Sequence, residues 1–410
     1  MNEMKGECKK NRCNPSGTLF FIIGLIFIDL FGFNPERMEN SQVTKNLVLP
    51  YISLNITSTM FVLSIAASAI CFIGSKSKWK VPSNMLTLVA RIALYFFPLL
   101  YMQGDFKIGV AYAMIQCAFS YYIGANNTSE YKTVLNLLVA LMVGLSIEVF
   151  AVLYLNKLSL FSPDIKWYMV IPIGKSNYIT CVILPIYVAT VEYYGHKFKP
   201  IITVAFSGFI FSALLATGSK FALVLFVGYW FVKLLQGAIS NKKIEKRKFA
   251  RNVLLACVLI SGIVYIFIAH SVQVNIILGR FGVSTLFSNR INVYKETMEL
   301  IFQHLLFGRS AYSYHVFDAV KAHNWLLESL VQTGLIGTAV YGYALYIGVR
   351  VVRRIKQKDI RVSVISFVIM YLFQGMVEPN LFGTLSDALF WLVLGVAFAI
   401  YKNEGKSYEE

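Results

Sequence analysis

The chain has 410 residues, of which 57% are hydrophobic and only 14% charged, and its mean hydropathy is +0.62. A soluble domain of that length cannot bury so large an apolar surplus, which excludes an ordinary water-soluble enzyme and points to a polytopic membrane protein. The net charge of +17 does not point to nucleic acid, because the cations sit in short blocks between apolar runs and no basic, aromatic-interleaved soluble domain accompanies them.

A helix that spans a bilayer needs about 20 predominantly apolar residues. On that measure the sequence predicts twelve spans, near 17–33, 47–74, 82–103, 107–124, 133–155, 174–194, 201–217, 219–236, 252–269, 323–349, 361–377 and 383–401. The first follows Lys5, Lys9, Lys10 and Arg12 but lacks a small-x-small cleavage site, so it reads as an uncleaved first helix. Cysteines fall before or inside the apolar runs and none lies in the long polar loop, so neither a disulfide framework nor a thiolate metal site is expected. Arg91 and Glu148 lie within predicted spans, where an ionised group needs a partner or water. Each reads either as half of a structural ion pair or as part of a pathway.

The run from 201 to 236 is too long for one span and is interrupted by Thr217-Gly218-Ser219-Lys220. This predicts a tight hairpin in which Gly218 turns the chain and Ser219 caps the next helix, leaving Lys220 at its N-terminus. Residues 270–322 then form the longest polar interruption of the chain. Within it, from Asn289 to Leu305, Ile291, Tyr294, Met298, Ile301, Phe302 and Leu305 fall within about a 100° arc of an α-helix. Lys295, Glu296, Glu299 and Gln303 lie opposite, which predicts an amphipathic helix in the membrane interface. Ser288 or Asn289 is its expected N-cap, so Arg290 is expected in its first turn. The tenth span opens on His323 and carries the row Gly334-x3-Thr338-x3-Gly342, a small-x3-small pattern that lets membrane helices approach closely. Glu328 stands about 140° around that helix from His323, so direct pairing between them is not implied.

Lys and Arg gather in one alternate set of connecting segments: 1–16, 75–84, 125–132, 195–200, 237–252, 350–361 and 402–410. That bias predicts cytoplasmic termini and an outward-facing 270–322 loop. The block Lys242, Lys243, Lys246, Arg247, Lys248 and Arg251 reads as a topology anchor drawn to anionic lipid.

A helix N-terminus carries partial positive charge, so a cation there is misplaced by about 0.3–1 kcal/mol relative to an anion. Lys220, Arg290 and His323 each occupy a predicted outer helix N-terminus. Three such placements on one face imply an anionic partner, on which cations and backbone N–H groups converge; pyrophosphate is a good candidate. The same dipole favours neutral imidazole, which suits His323 to accept a proton. Arg280, Arg309 and Lys175 add cations on the same side, with Asn324 and Glu328 as polar neighbours of His323. Each has a plain alternative as a helix-end or interfacial anchor. His304, His315 and His323 have no recognisable metal-ligand spacing, and HExxH, CxxC, Gly-x-Ser-x-Gly and the P-loop are absent, so no metal and no cofactor is expected.

The run Ala322-His323-Asn324-Trp325-Leu326-Leu327-Glu328-Ser329-Leu330, followed by Thr333-Gly334-Leu335-Ile336-Gly337, resembles the signature of the bacterial O-antigen polymerase and O-antigen ligase family (Wzy and WaaL type). Ser288-Asn289-Arg290-Ile291-Asn292-Val293-Tyr294 resembles that family's Ser-x-Arg segment, and Ala216-Thr217-Gly218-Ser219-Lys220 its Thr-Gly-Ser-Arg segment, where lysine replaces the usual arginine. The resemblance covers about residues 200–350. It implies an all-α, GT-C-like fold with about twelve transmembrane helices: a single transmembrane domain over 1–410 with a large extracytoplasmic loop at 270–322. It also implies a metal-independent, inverting glycosyltransferase of the bacterial plasma membrane. The donor would be an undecaprenyl-diphosphate-linked oligosaccharide and the acceptor a sugar hydroxyl of another lipid-linked repeat unit. His323 would assist deprotonation of that hydroxyl and Arg290 would bind the diphosphate. Lys220, Arg280, Arg309, Asn324, Glu328 and Lys175 would contact substrate. Membrane lipids, a chain-length regulator and a flippase of the same pathway are the implied partners. Ligation of finished glycan to lipid A core is the alternative activity, and flipping or transport of a polysaccharide precursor the more distant one.

Overall fold

The computed structural model describes residues 17–32, 46–49, 52–55, 82–96, 108–127, 129–160, 165–171, 173–239, 283–309, 322–377 and 385–406. The fold is mostly helical. In chain order the elements are α1 (Gly17–Gly32), β1 (Asn46–Leu49), β2 (Ile52–Asn55), α2 (Ser83–Phe96), α3 (Ile108–Ala125), α4 (Tyr131–Leu155), α5 (Ile165–Tyr168), β3 (Val170–Ile171), β4 (Gly174–Lys175) and α6 (Ser176–Tyr194). They continue with α7 (Pro200–Thr217), α8 (Lys220–Ile239), α9 (Val283–Gln303), α10 (Trp325–Arg354), α11 (Lys358–Gly375) and α12 (Leu385–Lys406). The strands make two small antiparallel ladders, β1 with β2 and β3 with β4.

Three of the described helices, Tyr131–Leu155, Pro200–Thr217 and Trp325–Arg354, are long and apolar enough to cross a membrane. That is fewer than the twelve spans expected. The expected span at 252–269 lies outside the described residues, and α1 and α2 are 16 and 14 residues long as helices. The expected span at 47–74 begins instead as a hairpin, with Leu47 opposite Leu54 and Leu49 opposite Ile52. Pro50 interrupts that apolar run, and proline cannot donate the bond a helix needs there.

The tightest packing joins α3 to α12. A Cβ on Gly124 would lie 2.3 Å from the Leu392 carbonyl oxygen, and one on Gly395 would lie 2.4 Å from that of Tyr121. Only glycine lets the two backbones come this close. Elsewhere buried polar side chains fix the register, since each needs its partner at one level of the bundle. Ser363 donates to the Ala189 carbonyl at 2.7 Å and Gln374 donates to Thr180 Oγ1 at 3.1 Å, so α11 runs antiparallel to α6. Trp230 donates to the Tyr187 hydroxyl at 2.9 Å and Lys233 to Glu192 at 2.7 Å, so α8 runs parallel to α6.

These registers sort the connections to two ends. At one end Glu404 accepts from the backbone N–H groups of Lys356 and Gln357 at 2.8 and 3.3 Å, and Asp359 pairs with His196 and Lys197 at 3.2 and 3.3 Å. Lys199, Arg350, Arg353, Arg354, Lys358 and Arg361 belong to the same end, which is therefore strongly basic. At the other end lie the starts of α6, α8, α10 and α12 with the close of α7 and α11. Tyr131 and Ser363 share a hydrogen bond at 2.7 Å, so the start of α4 lies toward the basic end with the 195–200 and 350–361 connections and Glu404.

Candidate functional site

The start of α10 is built by its own side chains. Asn324 is the N-cap: its Oδ1 accepts from the N–H groups of Leu326 and Leu327 at 3.0 and 3.2 Å, two donors that the helix cannot otherwise satisfy. Its Nδ2 donates to the Met376 carbonyl at 3.1 Å, tying this helix start to the end of α11. Glu328 is buried; one carboxylate oxygen accepts from the Ala322 N–H and the other from Gln332 Nε2 at 3.2 Å. Held between these two anchors, His323 adopts φ +55°, the left-handed region that costs a non-glycine residue about 1–2 kcal/mol. Asn324 and Glu328, expected as substrate ligands, thus have side chains engaged with the chain that shapes His323. Spacing around the helix did not reveal the Glu328 contact, because it reaches back along the chain beyond the N-cap.

α10 is broken at its tenth residue. Gly334 has φ +65° and ψ −168°, inside what is otherwise a continuous helix. The turn that follows α9 fills the break. Leu335 donates to the Leu305 carbonyl at 2.8 Å, Ile336 to that of Leu306 at 3.2 Å, and Arg309 donates back to the Val331 carbonyl at 2.7 Å. Backbone groups freed by the break are therefore satisfied by protein. The contact needs glycine on both sides: a Cβ on Gly334 would lie 2.3 Å from the Leu306 carbonyl carbon and oxygen, and one on Gly308, at φ +71°, would lie 2.6 Å from the Gln332–Gly334 backbone. The expected small-x3-small row is corrected accordingly. Gly334 admits a turn and not a neighbouring helix, and Gly342 faces open space.

α9 exists where periodicity placed a helix, but it begins at Val283, before Ser288 and Asn289. Arg290 is therefore the eighth residue of the helix and not in its first turn, about 10 Å along the axis from the start. At that distance Arg290 does not share an anion with the N–H groups of the helix start, whose field falls off within the first turn. The inward face of α9 carries Val293 and Ile301, clustered with Val331 and Ala322 and flanked by Leu300, Leu327 and Leu330. In the turn after α9, burial and then the nearby Arg309 cation hold the His304 imidazole below its ordinary pKa of 6.5.

Lys220 stands where the sequence predicts, as the first residue of α8. Gly218 closes α7 at φ +69° with its N–H on the Leu215 carbonyl at 3.0 Å, and the Ser219 carbonyl accepts the first bond of α8 from Leu223 at 3.4 Å. Lys175 pairs with Val170 in the short ladder immediately ahead of α6. The structure thus brings Lys175, Lys220 and His323 to the same end of the bundle, and the His304–Arg309 turn docks on α10 beside it. Arg280 and His315 lie outside the described residues, as do the side chains of Arg290, Lys175 and Arg91.

Sequence reasoning passed over a buried polar group beneath this end. Tyr371 donates to Asp387 at 3.0 Å, and the rings of Trp325, Tyr341 and Trp391 contact in series with centroids 5.9 and 5.7 Å apart. The available signal was Asp387, the sole charged residue of the run 383–401.

No protein-family model, curated protein or solved structure matches this chain.

Proposed function

We propose that this chain is a polymerase of a bacterial surface polysaccharide, O-antigen or capsule, embedded in the plasma membrane by about twelve spans. Both termini and the basic end face the cytoplasm, and the end bearing His323 faces outward. The observation that carries the reading is the left-handed His323 at the head of α10, at the same end as Lys220, which starts α8, and Lys175, in the ladder just ahead of α6. A strained titratable residue held by its neighbours is where function is sought. Cations beside helix N-termini suit a diphosphate.

In this reading the acceptor hydroxyl oxygen attacks the anomeric carbon of the donor glycan from the face opposite the diphosphate. The bond between that carbon and the diphosphate oxygen breaks, the hydroxyl proton passes to His323, and polyprenyl diphosphate leaves with inversion. Arg290 and Lys220 balance the charge that develops on the leaving group, a contribution of several kcal/mol in water-excluded sites. No metal takes part. Lysine at 220 supplies charge without the bidentate geometry of arginine.

A strain lacking this gene should accumulate single lipid-linked repeat units, detected by mass spectrometry of its lipid extract. Accumulation of long lipid-linked chains would instead identify a ligase and overturn the polymerase reading.

A further inference from the structure

α9 is divided into three sectors and not two. At about 100° per residue, Val293, Thr297, Leu300 and Ile301 make one sector, Tyr294, Met298 and Phe302 the next, and Lys295, Glu299 and Gln303 the third. The first is turned into the protein, with Val293 and Ile301 packed toward α10. The third is exposed and polar around Lys295, Glu299 and Gln303. Between them Met298 is 41% exposed and Phe302 69%. The apolar stripe continues through Leu305 and Leu306 and passes onto α10 at Leu335 and Ile336, all of them exposed. The two helices are joined at that point by the bonds from Leu335 to the Leu305 carbonyl and from Ile336 to the Leu306 carbonyl. α10 is one of the three helices long and apolar enough to cross a membrane, and its outer surface goes on with Tyr343 and Tyr346.

We propose that the Met298, Phe302, Leu305 and Leu306 face is a bilayer-contacting surface, set at fixed depth by its joint with α10. Continuity with the lipid-facing side of α10 selects bilayer over a protein partner as its occupant. The sector order fits that placement: protein on one side, acyl chains on the next, water on the third. An interfacial helix held only by its own amphipathicity would settle at whatever depth its apolar face preferred. Here the interlocked Gly308 and Gly334 leave no such freedom, so α9 rides as a wedge on the spanning helix. The proposal rests on reading the chain as membrane-embedded and not on the transferase activity.

The test is depth measurement by spin label in vesicles of phosphatidylethanolamine and phosphatidylglycerol. Cys8, Cys13, Cys71 and Cys257 are replaced by serine, and a nitroxide is attached to Phe302→Cys or, in a second protein, to Glu299→Cys. The label at 302 should be relaxed more by oxygen, which concentrates in the bilayer, than by a water-soluble nickel chelate. The label at 299 should show the reverse. Equal exposure of both labels to the nickel chelate would overturn the proposal. Shielding of position 302 from both reagents would also overturn it, because it would mean that protein and not lipid covers the face.

Discussion

Gly308 and Gly334 hold two chains together at a spacing no Cβ allows, and each sits at positive φ. Alanine at either position meets backbone atoms that cannot step aside. Gly308→Ala and Gly334→Ala should therefore each cost about 2–5 kcal/mol, the sum of left-handed strain and overpacking. Gly342→Ala, which faces open space in a helix, should instead stabilise by about 0.5–1 kcal/mol. Thermal melting of the three purified variants checks the contrast. His323→Gly relieves the left-handed strain and should leave the melting temperature unchanged or raised while polymer formation is lost; a collapse in stability would show that the imidazole is structural. His304 carries the pH dependence of the joint. Its folded pKa lies below 6.5, so the folded state favours the neutral ring, and the stability this contributes is present above 6.5 and lost as pH falls through the lowered value. The protection factors of the Leu335 and Ile336 amides, with the intrinsic slowing of exchange by acid divided out, should fall as pH drops from 6.5 through that value, and His304→Gln should flatten the response.

Between elements, how much was legible depended on what periodicity can report. The Thr217–Lys220 hairpin and the helix around Arg290 follow from local sequence: glycine in the turn, an apolar period near 3.6 in the helix. The start of α9 was not legible, since Ser284, Thr285 and Ser288 all offer caps yet lie inside the helix, and the stretch shows no clear polar face. The break in α10 was hidden for another reason. Glycines spaced by four look alike whether they admit a neighbouring helix or a turn, and only the partner decides. The α3–α12 contact is the true close approach of two helices, and Gly395→Val should prevent its formation outright. Gly208→Val, with nothing within 4 Å, should be tolerated. Recovery of monodisperse protein from membranes measures both.

At the scale of the whole molecule, charge segregation along the sequence anticipated two chemically distinct ends, and buried hydrogen bonds such as Ser363 to Ala189 and Gln374 to Thr180 place those ends apart. The sequence also placed Lys220 at a helix start and expected His323 to open the next, whereas His323 stands one residue ahead of the Asn324 N-cap. It did not disclose that Glu328 binds the Ala322 N–H, because that bond reaches back across the left-handed His323, nor that Asn324, and not His323, caps the helix. His323 and Arg290 are proposed to carry a metal-independent glycosyl transfer. Its most direct test gives the purified protein lipid-linked repeat units in detergent with chelator present and no nucleotide, and follows chain length by mass spectrometry. Longer chains are expected from the native protein, with the rate reduced about 10²–10³-fold or more in His323→Ala and Arg290→Ala. Full extension by both variants would contradict it.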